Sequence, residues 1–93
     1  MPQTADHHLL LYTYVPDIAE RRGPHRQGHL DRIRTQKEAG RIVMAGAFGD
    51  PILGGAMAWH GATREEIEAF VRDDPYQAAG LITEYRIEPW NLV

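Results

Sequence analysis

The sequence predicts an α+β fold in which a four-stranded antiparallel sheet carries two helices on one face, in the order β-α-β-β-α-β. Three observations support this prediction. Four segments have the apolar or alternating pattern of strands, two intervening segments have helical patterns, and a glycine- and proline-containing stretch between the second and third strands indicates a hairpin. The 93 residues are expected to form one domain, 1–93, because two shorter pieces could not each bury a core.

The strand segments differ in their patterns. The first, "HLLLYTYV" (8–15), is apolar on both faces, which is typical of a central strand covered on two sides. The segments "RIVMAGA" (41–47) and "GAMAWH" (55–60) enclose the stretch "FGDPILGG" and form the predicted hairpin. The last segment, "LITEYRIEPW" (81–90), alternates in polarity. Its less charged face consists of Leu81, Thr83, Tyr85 and Ile87.

The first helix is predicted over residues 26–39, where good helix formers precede Gly40, a residue that suits a left-handed C-cap. Its apolar stripe is thin, because Leu30 and Ile33 are its main apolar members and His29 lies at the margin. The preceding stretch, "PDIAERRGP", is expected to be a loop or a short helical turn.

The second helix is predicted to begin after Thr63, because Thr63 and Glu66 have the spacing of a capping box. Its core stripe consists of Ile67, Phe70 and Val71. The helix ends in "FVRDDPYQAAG" (70–80), where Asp74 stands directly before a proline and is therefore suited to cap a following turn.

With both helices on one side, the opposite face of the sheet would be left uncovered. That face must still hold several of the apolar strand residues, and an exposed apolar face of this size predicts a partner. A symmetric homodimer that packs sheet on sheet is the simplest expectation.

The composition excludes several classes of protein. A net charge of -3 with both signs scattered along the chain is unlike a basic nucleic-acid-binding surface. The absence of cysteine excludes disulfides and thiolate metal sites. No apolar run approaches the roughly 20 residues of a membrane helix, and the N-terminal segment "MPQTADHHLLLYTY" lacks the pattern of a signal peptide. We therefore expect a cytoplasmic protein that binds neither nucleic acid nor membrane.

No metal or cofactor is expected either. His25 and His29 are four residues apart and could share a helical face, but two histidines still require a third ligand. No glycine-rich phosphate-binding loop follows a strand. Taken alone, His29 reads as a polar residue at a helix margin, and Asp74 reads as a cap.

Two stretches, "RQGHLDRIRTQKEAGRIVMAGAF" and "DDPYQAAGLITEYRIEPW", together resemble the YciI-like (YCII-related) family over nearly the whole chain. The resemblance implies a ferredoxin-like fold that dimerises as an α/β barrel. It also implies a histidine–aspartate pair as the active site, here His29 and Asp74, with Arg26 and Tyr76 as substrate-binding residues. One departure is Ala47, which stands where the family usually has proline, so the following loop "FGDPILGG" is expected to be less rigid at its start. Because that loop is also short, the cavity is expected to be more open.

The implied pair points to general acid/base chemistry, because a carboxylate on one imidazole nitrogen fixes the tautomer and leaves the other nitrogen to transfer protons. The chain contains neither serine nor cysteine, which excludes an acyl-enzyme on either residue. Elimination, isomerisation or dehydrochlorination of a small acidic or aromatic substrate is the expected reaction class. The alternative is a non-catalytic small-ligand-binding or accessory dimer, with a cavity lined by the aromatic residues Tyr12, Tyr14, Trp59 and Trp90.

Overall fold

The computed structural model describes residues 6–93, so that residues 1–5 of the predicted domain, and the start of the N-terminal segment considered above, lie outside the described part. The elements are β1 (His7–Tyr14), α1 (Ile18–Arg21), α2 (Gly23–Glu38), β2 (Ile42–Phe48), β3 (Gly54–His60), α3 (Arg64–Arg72), α4 (Pro75–Ala78) and β4 (Ile82–Trp90). The strands form one sheet in the order β2-β3-β1-β4, with every neighbouring pair antiparallel. The predicted fold is confirmed, with the single-turn helices α1 and α4 added to it.

The core lies between the sheet and the helices. Alternate residues of β1, Leu10 and Tyr12, are fully buried, and β1 is flanked by β3 and β4 as its central position requires. The predicted stripe of α3 packs into the same core through Ile67, Phe70 and Val71. The buried alternate residues of the strand and the apolar stripe of the helix thus pack together in one hydrophobic layer.

Helix α2 covers the sheet only partly. It begins at Gly23, earlier than predicted, because Pro24 is tolerated in its first turn. Its only fully buried residue is His29, while Leu30 and Ile33 are half-buried. The thin apolar stripe is therefore confirmed, and it leaves space between α2 and the sheet.

The N-terminus of α3 has the predicted capping box. The Thr63 hydroxyl accepts a hydrogen bond from the Glu66 amide at 3.1 Å, and the Glu66 carboxylate accepts one from the Thr63 amide at 3.0 Å. The same carboxylate pairs with Arg41, which lies between α2 and β2. This cap therefore fixes the start of α3 and links it to the entry of β2.

The expected face of the last strand was wrong at Thr83. Thr83 is exposed and Ile82 is buried, because the pairing of β4 with β1 shifts register between Thr13 and Tyr14. The irregularity reverses the alternation, so that Ile82, opposite Tyr14, shares the helix-covered face with Ile87. Leu81 is buried just before the strand.

The other side of the sheet, called here the open sheet face, carries the apolar side chains of Leu9, Leu11, Met44, Phe48 and Trp90. Met44, Phe48 and Trp90 are all exposed on it, and Met44 is 63% exposed. Along β4 the same face carries the alternating charges of Glu84, Arg86 and Glu88. Within residues 6–93, no helix is long and apolar enough to span a membrane.

The capping box gives a test of the fold. Replacing Thr63 by alanine removes the hydroxyl acceptor at the start of α3 and should lower the free energy of unfolding by about 0.5–2 kcal/mol. Thr63→Ser keeps the acceptor and should stay close to the wild type in urea-induced unfolding. Equal losses in both variants would show that the cap hydrogen bond is not the source of the stability.

Candidate active site

The two residues implied by the resemblance lie in direct contact. His29 of α2 and Asp74, the residue before α4, are 45 positions apart in sequence, yet Nδ1 of His29 lies 3.0 Å from each carboxylate oxygen of Asp74. The exposed fraction is 5% for His29 and 1% for Asp74. The pair is therefore a preformed, desolvated hydrogen-bonded unit.

The Asp74 carboxylate is also the N-cap of α4, so the same side chain both caps a helix and contacts His29. One of its oxygens accepts a hydrogen bond from the Tyr76 amide at 2.9 Å. The other accepts one from the Tyr12 hydroxyl, also at 2.9 Å. Together with the contacts to His29, these bonds hold the carboxylate from three elements, β1, α2 and α4.

These donors favour the ionised form of Asp74. Burial acts to raise the pKa of this carboxyl, but the hydrogen bond and charge of His29, with the bonds from Tyr76 and Tyr12, outweigh burial and lower the pKa below its ordinary value. An ionised carboxylate can only accept hydrogen bonds, so it selects the His29 tautomer with a proton on Nδ1. The lone pair then lies on Nε2.

The imidazole ring is held by packing as well. The Tyr76 ring stacks on His29 with 3.8 Å between ring centroids and only 7° between the planes. Helix α2 can approach α4 closely because residue 28 is glycine, where a Cβ would lie 3.3 Å from Cγ of Pro75. The ring is thus fixed between a carboxylate and an aromatic face.

His29 faces a cavity of about 590 Å³ between α2 and the strands β2 and β3. Its Nε2 has no hydrogen-bond partner within residues 6–93. The helix side of the cavity is formed by Leu30 and Ile33, and Tyr76 completes the wall beside His29. The sheet side is built mainly from small residues, namely Ala45, Gly46, Ala47, Gly55 and Ala56. Ala47, the departure from the usual proline, therefore lines the cavity, whereas residues 49–53 of the following loop do not.

Positive charge dominates the cavity rim. Arg22, Arg26, Arg34 and Lys37 contribute to the lining, against one acidic residue, Glu38. Arg34 is engaged by Asp31 at 3.0 Å, but no carboxylate within residues 6–93 lies within salt-bridge distance of Arg22 or Arg26. Burial raises the pKa of Tyr76, and the positive charges of Arg22 and Arg26 oppose that rise. Both guanidinium groups therefore act on the end of the cavity where His29 lies.

No group of three or more metal-ligating side chains occurs within residues 6–93. His25, the other member of the four-residue spacing, does not line the cavity, and Nδ1 of His29 is already occupied by Asp74. Nε2 is therefore the imidazole nitrogen of His29 that is left open on the cavity side.

The family profile described as the YCII-related domain matches residues 7–91. The chain belongs to this family. Among solved structures, the chain is similar to the 5-chloro-2-hydroxyhydroquinone dehydrochlorinase (TftG) from Burkholderia phenoliruptrix AC1100, solved in complex with 2,5-dihydroxybenzoquinone. The two structures superpose with a TM-score of 0.79 at 21% sequence identity, and the match covers 94% of this chain and 95% of that chain. At this identity the likeness shows the shared fold. No curated protein matches the sequence.

In this YCII-related domain, sequence reasoning missed three residues around the pair. Tyr12 was expected only as part of the aromatic lining in the non-catalytic alternative, yet its hydroxyl bonds Asp74. Tyr14 was expected only in that same lining and Arg22 was not singled out, yet both line the cavity beside His29. The available signal was positional, because Tyr12 and Tyr14 share the helix-facing side of β1 and Arg22 directly precedes α2.

The four aromatic residues considered for a ligand cavity do not share one. Tyr12 and Trp59 are buried in the core, Tyr14 lines the cavity beside His29, and Trp90 lies on the open sheet face. Trp90 lies on the opposite side of the sheet from the other three, and Tyr12 and Trp59 are enclosed by the core. A single cavity lined by all four aromatic residues is therefore wrong, and of the four Tyr14 lines the cavity beside His29.

The lowered pKa of Asp74 predicts a specific pH dependence. A group whose folded pKa is depressed stabilises the fold fully above its unfolded pKa and loses that contribution as the pH falls through the folded pKa. At pH 7, Asp74→Asn should lower the free energy of unfolding by about 1–3 kcal/mol, because buried donors lose their charged acceptor. The difference from the wild type should shrink as the pH falls below about 4.

Asp73→Asn is the matched control, since Asp73 is the exposed neighbour of Asp74. Its effect on the free energy of unfolding should remain within about 0.5 kcal/mol, as for other surface substitutions. Urea unfolding between pH 3 and pH 7 provides the measurement. A difference between wild type and Asp74→Asn that stays constant over this range would contradict the assigned direction of the pKa.

Proposed function

We propose that this chain is a small-molecule enzyme in which His29 is the general acid/base and Asp74 is its orienting partner. The reaction class is elimination, isomerisation or dehydrochlorination of a small acidic or aromatic substrate. The observation that carries the proposal is the geometry of His29, whose Nδ1 contacts the buried carboxylate while the residue lines the cavity.

The arrangement supports proton transfer at Nε2 of His29. The carboxylate holds the imidazole in one tautomer and is positioned to pair with the imidazolium that forms when Nε2 takes a proton. The stacked Tyr76 ring restricts rotation of the imidazole, so that Nε2 stays directed at the bound substrate. The proton removed from one carbon can then be returned to another atom of the substrate, or the electron pair left behind can expel a leaving group.

The cavity supports the proposed class of substrate. Small residues on the sheet side leave room for a flat ring, and the rim is cationic. Arg26, exposed at the rim, is proposed to attract the substrate's negative charge, and Tyr76 to contact its ring beside His29. The structurally similar protein is named as a dehydrochlorinase and was solved with a small quinone, which agrees with a flat, oxygen-rich substrate here.

The open sheet face supports a homodimer. Several large apolar side chains are exposed there, and burying them against a second copy would stabilise a domain whose own core is small. The charges of Glu84, Arg86 and Glu88 supply both signs for contacts across a twofold axis. We propose that two sheets pack face to face as an α/β barrel, with one cavity on the outer side of each sheet.

The catalytic proposal is tested by turnover of a panel of chlorinated and hydroxylated aromatic compounds that includes 5-chloro-2-hydroxyhydroquinone, with chloride release and absorbance as readouts. His29→Gln should lower kcat by about 10²–10⁴-fold, the usual contribution of a general acid/base. Asp74→Asn should also lower kcat, because an amide cannot stabilise the imidazolium as a carboxylate does.

His25→Gln is the control, since it removes a histidine from the same helix but not from the cavity. It should leave kcat within about twofold of the wild type, because it changes no group placed near the reacting atoms. Wild-type turnover in His29→Gln would exclude His29 as the proton-transfer group.

The dimer is tested on the open sheet face. Met44→Glu places a charge among the exposed apolar side chains of that face and should convert the dimer to a monomer in sedimentation equilibrium, because a charge buried without a partner is costly. Leu53→Glu is the matched control, since Leu53 is 62% exposed and lies in the loop between β2 and β3. A wild-type chain that sediments as a monomer at micromolar concentration would contradict the proposed assembly.

A further inference from the structure

We propose that Tyr14 and Arg22 bind an anionic oxygen of the substrate at the end of the cavity beside His29. This inference rests on the proposed function and specifies its substrate class as a flat molecule that carries an anionic or enolisable oxygen. It names two binding residues in addition to Arg26 and Tyr76.

Tyr14 is held so that its hydroxyl reaches the cavity. It is the last residue of β1, and its backbone amide donates to the Leu53 carbonyl at 3.0 Å. Its ring meets the Tyr76 ring edge-on, with 5.8 Å between centroids. A Cβ on Gly55 would lie 2.6 Å from the Tyr14 hydroxyl oxygen, so the absence of a side chain at Gly55 lets the phenol lie across β3.

The Tyr14 hydroxyl is available as a donor. Tyr14 lines the cavity, and its hydroxyl makes no hydrogen bond within residues 6–93, in contrast to the Tyr12 hydroxyl, which is bonded to Asp74. Burial raises the pKa of Tyr14 well above its ordinary value, as do the neighbouring Tyr76 and Asp74. The group therefore stays a neutral phenol and can donate a hydrogen bond to a negative oxygen.

Arg22 supplies the charge. It stands at the junction of α1 and α2, where its amide donates to the Ile18 carbonyl at 2.9 Å and its carbonyl accepts from the His25 amide at 2.9 Å. Its half-buried side chain lines the cavity, and it has no carboxylate partner within residues 6–93, unlike its neighbour Arg21, which lies 3.5 Å from Asp17. Its guanidinium is therefore free to pair with an anion from outside the chain.

The chemistry of the proposed reaction needs such a site. When Nε2 of His29 takes a proton from a carbon next to a carbonyl group, the electron pair of the broken C–H bond forms a C=C bond, and the π pair of the C=O bond moves to the carbonyl oxygen. The products of this step are an imidazolium on His29 and an enolate on the substrate, so charge is balanced. A phenol donor and a guanidinium preorganised at that oxygen stabilise the charge as it forms.

Binding of small aromatic probes tests the site without requiring turnover. The probes are benzoate, 4-nitrophenolate and the neutral benzamide, titrated at constant ionic strength and followed by the NMR signals of residues around the cavity. The wild type should bind both anions more tightly than benzamide. Tyr14→Phe and Arg22→Gln should each weaken the anions by about tenfold or more, the range of a charge-assisted hydrogen bond, and leave benzamide unchanged.

Arg21→Gln is the matched control, because it removes the same charge one position away and outside the cavity. It should leave binding of all three probes unchanged. Arg22→Lys keeps the positive charge but lacks the paired N–H donors with which a guanidinium binds both oxygens of a carboxylate. It should therefore weaken binding of benzoate more than binding of 4-nitrophenolate. Gly55→Ala provides a second route to the same prediction, because the added methyl group displaces the Tyr14 hydroxyl while both binding residues remain.

The inference is overturned if the wild type binds the anions no better than benzamide, or if Arg21→Gln weakens them as much as Arg22→Gln does. Equal weakening of benzamide and the anions would likewise overturn it, because the residues would then only shape the cavity. These outcomes are independent of His29→Gln kinetics. A failed anion site with an intact effect of His29 on turnover therefore leaves the proposed general acid/base in place.

Discussion

The buried carboxylate of Asp74 organises the part of the molecule where function is proposed. An ionised carboxylate in a desolvated position is costly unless donors surround it, and here they come from β1 through Tyr12, from α2 through His29 and from α4 through the Tyr76 amide. Three elements that are distant in sequence must therefore meet at one point. The single-turn helix α4 positions the carboxylate, since Asp74 is its N-cap and Pro75 is its first residue.

The cavity follows from the composition of α2. Over 16 residues this helix buries only His29 completely, and its far side is held by Arg32, whose guanidinium donates to the Phe70 carbonyl at 2.8 Å and lies 4.3 Å from the centre of the Phe70 ring. The side that faces β2 and β3 has too few large apolar residues to fill the space, and the strands opposite carry mainly alanine and glycine. Space that packing would otherwise fill is thus left open as the cavity, at the expense of stability.

The sequence was most informative where a local pattern determines a local structure. The capping box at Thr63 and the stripe of α3 each depend on neighbouring residues, and both were predicted correctly. The contact between His29 and Asp74 was expected only through the family resemblance, because no local pattern connects residues 45 positions apart.

Other features depend on tertiary contacts and could not be foreseen. The register shift at Thr83 is set by the pairing of β4 with β1, and the bond from Tyr12 to Asp74 joins residues 62 positions apart. Nothing in the sequence distinguishes Arg22 from Arg21, since only the fold reveals that the side chain of Arg22 lines a cavity while that of Arg21 lies near an aspartate. Side-chain direction at a helix junction is not encoded in composition.

The contacts of Asp74 have a stereochemical consequence. Both of its oxygens are occupied by donors from the protein, and only 1% of the residue is exposed, so this carboxylate cannot exchange protons with a bound molecule. Within the proposed mechanism a single nitrogen both removes and redelivers hydrogen. Any 1,3-shift catalysed in this way would be suprafacial, and a deuterium taken from the reactant would be partly retained in the product.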